Sequence, residues 1–208
     1  MKFNAIAHAA RFALSLAAIA AASSASATVL SSTISMDNGF VAYISTSDNA
    51  VGTMFSSGND WPTSITGSTT LAAGTDYYLH IHGYDQGWVA GFLGSFSLSG
   101  SDHSFSNSLT TLLTDATNWK ANRTGFSDPY TAVSTWGTNS VGPWGTRGGI
   151  DASATWIWSG DNDTNDNAYF STKISANHAV PEPTSIGLLG IALAGLGLAQ
   201  ARKRKTLG

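Results

Sequence analysis

Apolar and polar side chains alternate along much of the chain between residues 28 and 179. Phe40, Ala42 and Ile44 share one face of a short stretch. Tyr77, Leu79 and Ile81 oppose Tyr78, His80 and His82, and Phe92, Phe96 and Leu98 oppose serines. Near the end Trp156 and Trp158 fall on one face, and Phe170 aligns with Ile174. Side chains at period two point to opposite sides of an extended backbone, so these stretches predict half-buried strands. Asp37-Asn38-Gly39, Ser47-Asp48-Asn49 and Ala73-Gly74-Thr75-Asp76 supply turn chemistry between strands. The one predicted helix is short, Ser108–Asp115. Many short strands without a fixed repeat predict an all-β fold: a single β-sandwich or jelly roll over residues 28–179.

The two ends follow a different pattern. Lys2 and Arg11 precede an apolar run from Phe12 to Ala22, and Ala25-Ser26-Ala27 then gives a small-x-small site. That order predicts a secretory signal peptide over 1–27, cleaved between Ala27 and Thr28. At the other end Pro181-Glu182-Pro183 leads into an apolar, glycine-rich run from Ile186 to Ala199, followed by Arg202-Lys203-Arg204-Lys205. Fourteen residues of helix span about 21 Å, short of a bilayer core of about 30 Å. The run needs bilayer thinning or snorkelling flanks to cross. The four basic residues would hold its end on the cytoplasmic side, leaving the preceding domain outside.

Taken together, this motif, apolar helix and basic cluster resemble the PEP-CTERM sorting signal of Gram-negative bacteria, over residues 180–208. The resemblance implies a chain held at the inner membrane until an exosortase-type enzyme processes it near Pro181, Glu182 and Pro183. Delivery to the cell surface or to an exopolysaccharide matrix (a biofilm component) follows from the same resemblance.

Composition narrows the middle. The chain carries ten basic and thirteen acidic residues, no cysteine and seven tryptophans. The absence of cysteine excludes disulfides, thiolate metal sites and a cysteine nucleophile. Residues 28–179 hold twelve aspartates against Lys120, Arg123, Arg147 and Lys173, a net of −8. So acidic a domain excludes nucleic acid as partner and suits neutral ligands or cations.

Several pieces of the middle are similar to galactose-binding-like jelly rolls. They are Ile34–Phe40, the loop Gly58-Asn59-Asp60-Trp61, the hairpin from Gly74 to Ser99, and the closing Ala154–Trp158 and Ala168–Phe170. Ser171 stands where arginine is common in that family. The resemblance implies a fold that often binds carbohydrate and also serves as an inert accessory module.

Candidate chemistry is sparse. No nucleophile elbow and no His-Glu-x-x-His is present, and the aspartates sit mostly in turn-forming loops. His80 and His82 share a strand face, where with His103 they fit either a metal or a polar outer surface. Asp161, Asp163 and Asn165 have the 1, 3, 5 spacing of a calcium loop, but Asp166 and Thr172 replace the glycine and glutamate expected at 6 and 12. Calcium is therefore a weak candidate, with a solvated hairpin tip as the alternative. Tyr84, Asp85, Gln86 and Trp88 form a loop of two aromatics and two polar side chains, the mix of a sugar-stacking platform. Trp144 and Arg147 form the second candidate. The expected function is an exported, non-catalytic module associated with extracellular polysaccharide. The alternatives are a structural surface protein, calcium-stabilised or not, and a polysaccharide-active enzyme using an aspartate pair.

Overall fold

A computed structural model of the chain describes residues 27–177. The predicted signal sequence up to Ser26, including Ala25, and the tail from His178 onward, including Pro181, Glu182 and Pro183, lie outside the described residues. The strands are β1 (Thr28–Asp37), β2 (Gly39–Ser45), β3 (Thr53–Gly58), β4 (Ile65–Leu71), β5 (Tyr77–Tyr84) and β6 (Gly91–Leu98). They continue as β7 (His103–Phe105), β8 (Thr111–Leu113), β9 (Lys120–Asn122) and β10 (Thr131–Ala132). The last three are β11 (Ser134–Thr138), β12 (Thr155–Trp158) and β13 (Asn167–Ala176).

Two antiparallel sheets form. The first runs β11-β12-β6-β1-β4, with β8 also on β6; the second runs β10-β9-β13-β5-β2-β3, with β7 also on β13. β1 and β2 belong to different sheets and are joined by Asn38 alone, so the predicted turn is the corner where the chain crosses between them. The alternating apolar positions meet between the sheets. Leu30, Ile34, Met36, Phe92 and Phe96 from one side pack with Phe40, Leu79, Ile81, Phe170 and Ile174 from the other. The Phe92 and Phe170 rings lie 4.9 Å apart, and Trp119 sits edge-on to Phe92 at 5.2 Å. An all-β sandwich, as the alternation requires, is the result.

Two local expectations fail. Ser108–Asp115 is not a helix: Thr111–Leu113 is β8, with Leu113 opposite Ser95 and Thr111 opposite Ser97. The leucines at 109, 112 and 113 imitate helical spacing, but pairing with β6 outweighs it. Trp156 and Trp158 do not share one core. Trp158 enters the main core, whereas Trp156 joins a second cluster with Leu93, Trp144, Ile150 and Ala154. β12 has only four residues and its register with β11 slips between Thr135 and Thr138, so strict alternation is not kept.

The start of β1 is closed. Thr28 is buried, and its hydroxyl meets Nδ1 of His103 at 2.8 Å. Nε2 of His103 lies 3.0 Å from the carbonyl of Thr75, which can only accept, so Nε2 carries the proton and the Thr28 hydroxyl donates to Nδ1. Ala27, immediately before it, is exposed.

Candidate functional site

The β5–β6 loop is built from its ends inward. The backbone N–H of Asn38 donates to the Tyr84 carbonyl at 3.0 Å, and its Oδ1 accepts the Gln86 N–H at 2.7 Å. Gly39 lies against the Tyr84 ring so closely that a Cβ there would penetrate it. On the other flank Asp85 N–H donates to the Asp166 carbonyl at 2.9 Å, and Ala90 N–H to the Asn162 carbonyl at 2.7 Å. Oδ2 of Asp85 accepts the Gly87 N–H at 3.0 Å, while its Oδ1 is buried without a partner. Burial, backed by Asp166 and Asp163, holds the Asp85 carboxyl above the usual carboxylate range against the Gly87 and Gln86 N–H groups.

This frame presents Trp88. The residue is 86% exposed, and its φ is +74°, a left-handed backbone unusual for a bulky residue. The preceding Gly87 has φ +116°, which its missing Cβ allows. Of the sequence-predicted loop group, Tyr84 is half-buried support, Asp85 a brace, Gln86 an exposed polar neighbour and Trp88 the open aromatic face.

Trp144 and Arg147 do not form a second platform. Trp144 is only 3% exposed, stacked on Trp156 at 4.5 Å, and its indole N–H donates to Oδ2 of Asp37 at 2.9 Å. Gly91 makes room for both rings: a Cβ there would lie 2.8 Å from Trp156 and 2.9 Å from Trp144. The loop carrying Trp144 thus covers a small core on the outer face of the first sheet. Arg147 fastens that loop by donating to the carbonyls of Pro62 and Trp144, and it lies over the Trp61 ring at 5.3 Å. Burial raises the Asp37 carboxyl, opposed by the Trp144 bond and reinforced by the charge of Asp85.

The histidines likewise go to separate places. His82 stacks on Tyr169 at 4.3 Å and meets Oδ1 of Asn167. His80 is fully buried, stacked on Phe126 at 4.3 Å, with Nε2 3.4 Å from Asp48. His103 sits between Thr28 and Thr75. Asp48, read in the sequence as a turn residue, is the centre of a polar cluster with Lys120, Ser171 and His80. Ser171, at the position noted as arginine in similar jelly rolls, is one of its donors. No local signal marks this cluster, because its members come from four separate segments.

The Asp161–Asp166 turn is a brace. Oδ1 of Asp161 accepts the Asp163 N–H at 2.8 Å, the Asn165 amide donates to Ser159, and the Asn165 carbonyl accepts the Trp158 indole. Among the described residues no group of three or more His, Asp or Glu side chains is placed to hold a metal. Within the turn the Asp161 carboxylate and the Asn165 amide each make a bond of their own.

The chain matches the family model described as the PEP-CTERM protein-sorting motif over residues 179–205. This marks an exported protein, anchored at the membrane until an exosortase-type enzyme processes it. No curated protein and no solved structure matches the chain.

Proposed function

We propose that the sandwich is a non-catalytic module that binds extracellular polysaccharide and so holds the exported chain in the surface matrix of a Gram-negative cell. The presentation of Trp88 carries this reading. An indole left in water forgoes about 1.5–3 kcal/mol of burial, and a left-handed non-glycine backbone costs about 1–3 kcal/mol. The fold gains nothing from either. A ligand that covers the ring does, and the apolar face of a sugar ring stacks on an indole, with Gln86 beside it for hydroxyl contacts. The domain's net negative charge disfavours a polyanion and leaves a neutral or weakly charged glycan as the suited ligand.

The test is tryptophan fluorescence of the full chain, purified in a detergent without a sugar headgroup. It is titrated with a glycan panel that includes the host's exopolysaccharide, with and without calcium. A saturable shift in the wild type, absent in Trp88→Ala, is expected. No shift with any glycan would move the chain to a structural surface protein, and a shift that needs calcium would give the Asp161–Asn165 turn a role. Release of reducing ends, lost in Asp37→Asn or Asp85→Asn, would make it an enzyme instead.

A further inference from the structure

The loop that buries Leu93, Trp144 and Trp156 covers only part of the outer face of the first sheet. The rest is open, across β4, β1, β6 and β8. Strand register lines up its outward side chains in two rows. Ser68 is opposite Ser31, Ser31 opposite Ser97, and Ser97 opposite Thr111. Beside them Thr66, Thr33, Ser95 and Leu113 form the second row. With strands about 4.8 Å apart, each row runs about 14 Å. Two grooves of about 590 and 500 Å³ lie here and share Ser31 and Thr33.

One end of the larger groove is walled by Gly149, Ile150 and Asp151. That wall is fixed, because Asp151 N–H donates to Ser95 Oγ at 3.0 Å. No hydrogen bond within the described residues occupies the hydroxyls of Ser31, Thr33, Ser68, Ser97 or Thr111.

What the face lacks identifies its ligand. In a domain with twelve aspartates, β4, β6, β8 and Thr28–Met36 of β1 carry no charged residue. An anionic polymer finds no cation to meet it. Of the exposed large apolar side chains only Val29 belongs to these strands, so a protein partner finds none of the aromatic or arginine anchors that drive such interfaces. Apart from Asp151 at the walled end, the rows offer hydroxyls that donate and accept with no charge beside them, and such hydroxyls match other hydroxyls. Half-buried Leu113 adds an apolar edge at the walled end, over buried Ile150.

We propose that this face is a second binding site, for a neutral polysaccharide lying across the four strands. Sugar hydroxyls exchange hydrogen bonds with the serine and threonine rows, and one ring rests its apolar side on Leu113. The inference rests on the reading of the domain as a glycan binder but uses none of the Trp88 loop. Ser97 is six residues along β6 from Gly91, about 20 Å away.

The test is affinity electrophoresis of the full chain in gels cast with hydroxyethyl cellulose, dextran or galactomannan, and with polygalacturonate as the acidic control. Retardation by a neutral polymer, equal at low and high salt, is expected. The double variant Ser31→Ala/Ser97→Ala should lose about thirtyfold in affinity, as two hydrogen bonds of about 1 kcal/mol each imply. Ser97→Glu should lose as much, and an unchanged melting temperature certifies folding in both. If Trp88→Ala alone abolishes retardation, the loop is the sole site and this inference fails while the proposed function stands. If the serine variants abolish it and Trp88→Ala does not, the face stands and the loop reading fails. Retardation by polygalacturonate alone, or by no neutral polymer, overturns the inference.

Discussion

Oδ1 of Asp48 accepts the hydroxyl of Ser171 at 2.5 Å, across 123 residues of chain. The other oxygen takes Nζ of Lys120 at 2.5 Å, and the Asp48 carbonyl accepts the Tyr130 hydroxyl at 2.8 Å. One residue thereby ties the β2–β3 and β9–β10 loops to the outer face of the second sheet, over His80. Asp48→Asn keeps the shape but removes the charge from these bonds, and should cost about 1–3 kcal/mol. Ser171→Ala should cost about 1 kcal/mol. The two should be non-additive in urea unfolding, because both act on the same bond, one by weakening its acceptor and the other by removing its donor. Additive losses would mean that the Asp48 charge adds nothing to that bond.

Stability should fall as the solution is acidified below neutrality. Burial holds His80 below its ordinary 6.5, with the Asp48 contact opposing. The unfolded chain therefore binds the proton more readily, so this contribution is present above 6.5 and is lost as pH falls through the folded value. Burial also pushes the Asp48 carboxyl up, but the Lys120 and Ser171 bonds outweigh it and hold it below 3.8. Its contribution is present above 3.8 and is lost at still lower pH. Asp37 and Asp85 are raised and act in the opposite sense, losing stability as pH rises from 3.8 through their folded values. The decline that starts near pH 6.5 is thus the His80 signature. Melting temperatures from pH 7.5 to 5 should show it in the wild type and not in His80→Gln; an equal decline in both would place its cause elsewhere.

Trp88 and Trp144 should separate cleanly in stability. Trp144→Ala empties the second cluster and should cost about 3–5 kcal/mol. Trp88→Gly removes an exposed ring and relaxes a left-handed backbone, so it should be neutral or stabilising by about 1 kcal/mol. Thermal unfolding of both variants decides. A large loss from Trp88→Gly would mean that the indole is packed rather than presented.

How far the sequence reaches follows from which interactions are local. Phe40–Ile44, Tyr77–His82 and Phe92–Ser99 were legible because alternation is a property of one strand. The Ser108–Asp115 segment misleads because three leucines at helical spacing say nothing about the partner strand β6. In the candidate site, Trp88 was legible because glycine and polar neighbours mark an open loop. Gly142-Pro143-Trp144-Gly145 carries the same marks, yet its tryptophan is buried. What buries it is Trp156 and Gly91, and no pattern near residue 144 reports either. Asp48 looked like a turn residue for the same reason, since Lys120 and Ser171 reach it only after folding.

The sorting tail yields a prediction independent of the sandwich. Residues 179–205 carry the matched sorting motif, and Pro181, Glu182 and Pro183 lie within it. Replacing Pro181, Glu182 and Pro183 with alanine removes these three side chains from the matched motif. The chain should then accumulate unprocessed in the membrane fraction, visible as a larger species by immunoblot, while its export is unaffected. The sandwich should melt at the same temperature in both forms. A variant processed like the wild type would show that the enzyme reads the apolar run and basic cluster rather than Pro181, Glu182 and Pro183.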